Sequence, residues 1–233
     1  MPTVVITGAS QGIGQAVAEA FAREPGARLA LVARSHDKLD AVAVQCRGLG
    51  AEAAVFVCDV TDDAAVEQTA QAILARWGAP DVLVNNAGLF QPGTVLETPA
   101  AVFRRQVAVN LTSAFVVTQV FLEPMIAQGH GHLFYMGSVA SIRAYAGGAA
   151  YCAAKHGLLG LARVVREETK GLGLRVTTLL AGATFTPSWE GVDLPEARFM
   201  PPEDVARTVL DVYRLSDRTV VEEMLLRPQL GDV

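Results

Sequence analysis

Short apolar runs alternate with longer amphipathic stretches from the first residues of the chain to near its last. Val4–Thr7, Leu29–Ala33, Ala54–Cys58, Val82–Asn85, Leu133–Met136 and Val176–Leu180 are nearly continuous hydrophobic runs, the pattern of strands whose two sheet faces are both covered. Between them, Ile13–Glu24, His36–Arg47, Asp62–Trp77, Ala100–Gln128 and Ala149–Lys170 repeat their apolar residues with the helical period. Thr61-Asp62-Asp63 reads as a helix start, and Gly48, Gly129 and Gly171 stand where helices should stop. A last helix over about Glu203–Leu215 and a last strand over about Val220–Leu226 complete the pattern.

Strand–helix alternation with short connections predicts an α/β fold: a doubly wound, Rossmann-like parallel sheet with helices on both faces and right-handed crossovers. No repeat, low-complexity linker or break in composition divides residues 1–233, so one domain is expected. The long irregular stretch from Pro187 to Pro202 predicts a substrate loop at about 187–202.

Composition narrows the function classes. At 51% hydrophobic and 18% charged the chain is no disordered segment, and a net charge of −5 with the signs interspersed gives no footprint for nucleic acid or an anionic membrane. No apolar run is read as approaching the ~18 residues of a membrane span, and the first residues lead straight into a strand without a charged leader. Cys46, Cys58 and Cys152 lack metal-ligand spacing, as do the four histidines. Free buried thiols, no metal site and a cytoplasmic location are expected.

Candidate chemistry begins where the first strand runs into Thr7-Gly8-Ala9-Ser10-Gln11-Gly12-Ile13-Gly14 and then a helix. Glycines let the backbone turn tightly and approach a pyrophosphate, and the helix start presents free N–H groups to phosphates. Later, Tyr151 and Lys155 stand one helical turn apart on a common face. A nearby ammonium favours phenolate over phenol, so Lys155 is expected to lower the Tyr151 pKa from its usual ~10 toward working pH. Gly137-Ser138 ends the fifth strand on the same sheet edge, and Asn110 falls inside a helix, where a buried polar side chain needs a partner. Asn85-Asn86-Ala87-Gly88 ends the fourth strand, where ligand binding and simple turn chemistry are both open.

The glycine spacing, Asn-Asn-Ala-Gly, Asn110, Ser138 and Tyr-x-x-x-Lys together resemble the short-chain dehydrogenase/reductase family along essentially the whole chain. The resemblance implies a seven-stranded sheet in the order 3-2-1-4-5-6-7 and an enzyme that interconverts a carbonyl compound and its alcohol by hydride transfer. It implies a catalytic tetrad of Asn110, Ser138, Tyr151 and Lys155: Ser138 holds the substrate oxygen, Tyr151 exchanges its proton, Lys155 tunes Tyr151 and holds the nicotinamide ribose, and Asn110 helps hold a water. Cofactor contacts fall to Gly8, Ser10, Gln11, Gly12, Ile13, Gly14, Asn86, Ala87 and Gly88. Asp59 and the Val60 backbone are implied at the adenine, with a turn or helix-cap role for Asp59 as the competing reading. Ala33 stands where NAD-selective relatives carry Asp and Arg34 and Ser35 follow it, which predicts NADP; Gln11 departs from the second basic residue of many NADP-using relatives.

After the sixth strand, Gly182 and Thr186 match the family's nicotinamide segment and Ala181 replaces its proline, with Thr184 the alternative to Thr186. The resemblance further implies a pocket lined by Phe90, Val139, Ala140, Tyr145, Phe185, Trp189 and Phe199, with Arg143 or Gln91 as polar anchor. Val221–Pro228 is similar to relatives that oxidise serine or 3-hydroxy acids, so a carboxylate-bearing substrate is an alternative, and a non-catalytic NADP-binding sensor or scaffold is another. A homotetramer, or else a homodimer, is expected through the long helices 100–128 and 149–170.

Overall fold

The computed structural model describes residues 1–189 and 191–232; Glu190, within the expected substrate loop, and Val233 lie outside the described residues. Seven strands form one parallel sheet: β1 (Thr3–Thr7), β2 (Arg28–Ala33), β3 (Glu52–Val57), β4 (Val82–Asn85), β5 (Gly131–Ser138), β6 (Leu174–Ala181) and β7 (Glu223–Leu226), in the order β3-β2-β1-β4-β5-β6-β7. The doubly wound sheet and its strand order are those expected.

Successive residues of β1 face opposite ways. Val4 and Ile6 join a core that includes Val17, Phe21, Leu39 and Val205 from helices α1 (Gly12–Phe21), α2 (His36–Gly48) and α7 (Pro202–Tyr213). Val5 joins the opposite core, with Ile73, Phe121 and Leu158 from α3 (Asp63–Trp77), α5 (Ser113–Gln128) and α6 (Ala149–Thr169). Both faces of the sheet are thus covered, which is why its strands read as unbroken apolar runs.

The helix expected over Ala100–Gln128 is instead three pieces: α4 (Ala100–Val107), a π-helical turn at Ala108–Thr112, and α5. The Asn110 side chain explains the interruption. Its Nδ2 donates to the Gln106 carbonyl at 2.9 Å, the acceptor its own backbone N–H would take in a regular α-helix. The assembled 29-residue stretch is also long and apolar enough for a membrane span, which corrects the run-by-run reading of the sequence. Here its apolar side packs into the core through Ala114, Val117, Phe121 and Met125. The last strand is shorter than expected, because Val220–Glu222 run alongside β6 without strand geometry and only Glu223 onward joins the ladder.

Candidate active site

The carboxyl ends of β1, β2, β4, β5 and β6 open into one continuous cavity of about 960 Å³. Its floor is the turn after β1, where Gly8 (φ +66°) and Gly12 (φ +58°) take the left-handed conformation that disfavours side chains. Gly14 sits just behind the cavity: a Cβ there would lie 2.3 Å from the Gly8 carbonyl oxygen and 2.5 Å from Asn86 Nδ2. Asn86 clamps the turn, its Nδ2 donating to the carbonyls of Thr7 (2.9 Å) and Gly8 (3.2 Å). Thr7, which sequence reasoning passed over as a site residue, completes this brace: its hydroxyl accepts from the backbone of Asn86 and Ala87, each at 3.0 Å. Ser10, Gln11 and Ile13 line the cavity above the turn.

One end of the cavity is polar and cationic. Arg34 and Ser35 line it at the end of β2, beside Asp59 and Val60 from the segment after β3 and Ala87 and Gly88 from that after β4. Asp59 fills the turn role held open for it: its Oδ1 accepts from the Thr61 N–H (3.0 Å) and hydroxyl (2.7 Å). The Thr61 backbone bond holds its carboxyl below the ordinary range, against the opposing effect of burial. Lys38, in the first turn of α2, also lines this end and was not foreseen; its ammonium donates to Gln11 Oε1 at 2.8 Å.

The other end gathers Ser138, Tyr151, Lys155 and Asn110 on one cavity wall. Ser138 is the last residue of β5, and its Oγ accepts from the Ala140 N–H at 3.1 Å. Tyr151 projects from the first turn of α6, its ring edge-on to Phe90 with centroids 5.1 Å apart. One turn on, buried Lys155 donates to the Met136 carbonyl at 2.8 Å, and its Nζ lies 5.6 Å from the centre of the Tyr151 ring. Buried Asn110 ties the segment after β4 in place: its Oδ1 accepts from the Leu89 N–H (3.1 Å) and its Nδ2 donates to the Leu89 carbonyl (2.7 Å).

The electrostatics correct one expectation. Burial pushes the Tyr151 phenol above its ordinary value, while Ser138 pulls it down and Lys155 contributes no resolved lowering. The same burial brings Lys155 from 10.5 down to about 8.

Around this end Phe90, Val139, Ala140, Tyr145 and Trp189 line the wall as expected, with Arg143 among them. Phe185 and Phe199 do not. Phe199 is buried behind Trp189 (centroids 4.9 Å apart) and Phe185 (5.9 Å), so these loop aromatics pack on one another, and Phe185 faces a separate cleft beside α1. Gln91 does not line the cavity, and its backbone exchanges two hydrogen bonds with the buried Gln106 amide, at 3.1 and 2.9 Å.

Gly182, Thr184 and Thr186 all line the cavity. The Thr184 hydroxyl is spent on the Gly182 carbonyl at 3.1 Å, whereas Thr186 packs against Gly12 across the cavity mouth. Ala181 continues the β6 ladder opposite Ser138 and Leu226, and backbone bonds from Phe185 to Met200 (2.8 Å) and from Met200 to Ala183 (3.0 Å) pin the loop beyond it. Val221–Pro228 serves packing rather than this cavity, with Glu222 and Glu223 paired to Arg166 and Arg163 of α6.

Comparison with known proteins identifies the family and the fold. The model of the short chain dehydrogenase family matches residues 2–196. The sepiapterin reductase of Chlorobaculum tepidum is 36% identical, over 99% of this chain and 97% of its own. Among solved structures, an alcohol dehydrogenase from Thermococcus sibiricus complexed with 5-hydroxy-NADP superposes with a TM-score of 0.93 at 31% identity, covering 100% of this chain and 99% of that one. A metagenomic short-chain oxidoreductase in complex with NADP gives 0.87 at 34%, covering 98% and 97%.

Proposed function

Because the chain belongs to the short-chain dehydrogenase family, we propose that it interconverts a small carbonyl compound and its alcohol using NADP(H), with Tyr151 as the acid/base. The observation that carries this reading is a single cavity with a glycine turn and Arg34 at one end and Ser138, Tyr151 and Lys155 at the other. A dinucleotide has a phosphate-bearing part for one end and a reactive ring for the other.

The residues present fit the cofactor. The glycine turn leaves room for a pyrophosphate, Ala33 offers no carboxylate to repel a 2′-phosphate, and Arg34 supplies a guanidinium for it. Asp59 and the Val60 backbone would face the adenine and Thr186 the nicotinamide carboxamide. When bound, NADP(H) supplies or accepts the hydride. Ser138 would hold the substrate oxygen while Tyr151 gives it a proton in reduction or takes one in oxidation. A phenol held above its ordinary range is protonated at neutral pH, which favours the donating role. Lys155 spends one of its three N–H donors on Met136, leaving two for the nicotinamide ribose. Asn110, at the π-turn, would help hold a water behind Lys155.

Purified protein should oxidise NADPH in the presence of some member of an aldehyde, ketone and quinone panel, and Tyr151→Phe should abolish it. Binding of NADPH without turnover of any member would favour a sensor or scaffold. Arg143 on the cavity wall supports a second reading, a dehydrogenase of serine or 3-hydroxy acids; oxidation of L-serine or 3-hydroxypropionate with NADP+ separates the two. A cytoplasmic, reducing setting is in keeping with three free, buried thiols. Phe115 and Val164 are about half exposed on α5 and α6, which supports pairing of copies into a homotetramer or homodimer. Sedimentation as a single 24.6 kDa species would overturn that assembly.

A further inference from the structure

Gln106 of α4 is fully buried and does not line the cavity. An apolar side chain would fill such a place without desolvating an amide, so the amide has to be judged by its partners. Both belong to one residue: Gln106 Oε1 accepts from the Gln91 N–H at 3.1 Å, and Nε2 donates to the Gln91 carbonyl at 2.9 Å. One turn on, Asn110 holds the backbone of Leu89 in the same way, at 3.1 and 2.7 Å. Two amides four residues apart therefore grip alternate residues of the segment after β4, as a neighbouring strand would. Just beyond them the Gly93 N–H donates to the Gly147 carbonyl at 2.8 Å, which ties the segment to the start of α6. The residue between the two grips is Phe90, whose ring stands edge-on to Tyr151 with centroids 5.1 Å apart. Phe90 is itself 38% exposed, so its own packing does not fix it; its pinned neighbours do.

Resting on the reading of Tyr151 as the acid/base, we propose that Gln106 is a positioning residue: it holds the Phe90 ring against Tyr151, which keeps the phenol in one orientation and covers that side of it from water. The upward shift of the phenol, caused first by burial, is what such a cover produces. From its other sides the phenol is faced by Ser138 at the end of β5, by Lys155 and Cys152 on α6, and by Tyr145 just before α6. A substitution at Gln106 leaves all four of these side chains unchanged and acts only through Phe90.

Tyrosinate absorbance followed through a pH titration tests this without any substrate. With Tyr151→Phe in each background as the blank, the difference reports Tyr151 alone among the four tyrosines. Gln106→Met keeps the reach of the side chain and removes both bonds. Its Tyr151 titration should move to lower pH by about half a unit or more, with NADPH binding within about twofold of the parent. Turnover of any carbonyl that the parent reduces should fall about tenfold in kcat. Phe90→Leu, in which both amides are untouched, should move the titration the same way, and it decides the matter if Gln106→Met fails to fold. A titration that stays where it is in the deciding variant overturns the positioning role and leaves the reading of Tyr151 standing, as does a tenfold loss of NADPH binding, which would mark general disruption. Retained turnover in Tyr151→Phe removes that reading and the positioning role with it.

Discussion

Lys155 donates to the Met136 carbonyl at 2.8 Å, so the ammonium that faces the cavity also fastens α6 to β5. Burial makes that charge costly and lowers its pKa from 10.5 to about 8. Between those two values the unfolded chain binds the proton and the folded chain does not, so stability rises with pH across that window. In Lys155→Met the titration is gone and only the methylene volume is kept. Urea denaturation should show the wild type gaining on the variant between pH 7.5 and 10.5, by up to about 3 kcal/mol. A stability difference that stays flat with pH would mean that Lys155 is not desolvated as its surroundings imply. Hydride transfer in the same variant should fall at least 100-fold.

On the proposed mechanism, Tyr151 would set the pH dependence of the reaction. Its phenol is held above the ordinary value, so the protonated form persists through neutral pH and into the alkaline range. Carbonyl reduction should therefore be level in pH from about 7 to 9, whereas alcohol oxidation, which needs the phenolate, should climb over the same range. Tyr151→Phe should lose about 10³-fold in both directions while still quenching with NADPH as the parent does. Stopped-flow rates across pH check both statements, and retained turnover in the Phe variant would remove the proton-transfer role.

Asn110 is a structural knot between the segment after β4 and the π-turn. Replacing it with Ala leaves the Leu89 N–H, the Leu89 carbonyl and the Gln106 carbonyl without their side-chain partner in a buried place. A loss of about 2–4 kcal/mol is expected, or roughly 5–15 °C in Tm for a chain of this size. With the i−4 carbonyl released, α4 and α5 should also relax toward one continuous helix. A variant as stable as the parent would show that the π-turn does not depend on this side chain.

What could be read from the sequence was what is local. The glycine turn, the Tyr151–Lys155 spacing and the strand pattern each follow from neighbours within a few residues, so they appear in the structure where the pattern put them. The π-turn depends on Asn110 meeting Leu89, and Lys38 on meeting Gln11, 21 and 27 positions away in the chain. Nothing in a periodicity reports such a meeting. Phe185 and Phe199 were misjudged for a related reason, since aromatic loop residues are equally suited to a pocket wall and to each other. The expected acidification of Tyr151 failed differently: spacing conveys which charges are near but not how dry they are.

Gly14 makes the close approach at the glycine turn testable without any substrate. A methyl group there has to displace the Gly8 carbonyl or the Asn86 amide, both fixed by the brace through Thr7. Gly14→Ala should weaken NADPH binding by at least tenfold, whereas Gly160→Ala, where a Cβ meets nothing within 4 Å, should leave it unchanged and stabilise α6 by several tenths of a kcal/mol. Fluorescence titration of the two variants side by side separates a local steric effect from general disruption.

His132 should govern the acid limit of the fold, far from the cavity at the opposite end of β5. It is fully buried and stacked on Phe134, and its Nε2 meets the Thr177 hydroxyl at 2.7 Å. That hydroxyl donates to the Val221 carbonyl at 2.6 Å, so the ring nitrogen must be the donor toward Thr177. Nδ1 is then a bare acceptor with no partner, and the imidazole is neutral. Burial first, and the Arg175 charge second, lower its pKa from 6.5 to about 2. Below pH 6.5 the unfolded chain takes up a proton that the folded chain refuses, so stability is lost as pH falls, at up to about 1.4 kcal/mol per pH unit. His132→Leu keeps an apolar side chain beside Phe134 and removes the titration. Its absolute stability will be lower from the altered packing, so the informative quantity is the slope: between pH 6 and 4 the variant's unfolding free energy should fall less steeply than the parent's. Parallel slopes would mean that other groups set the acid limit and that His132 is protonated in the folded chain.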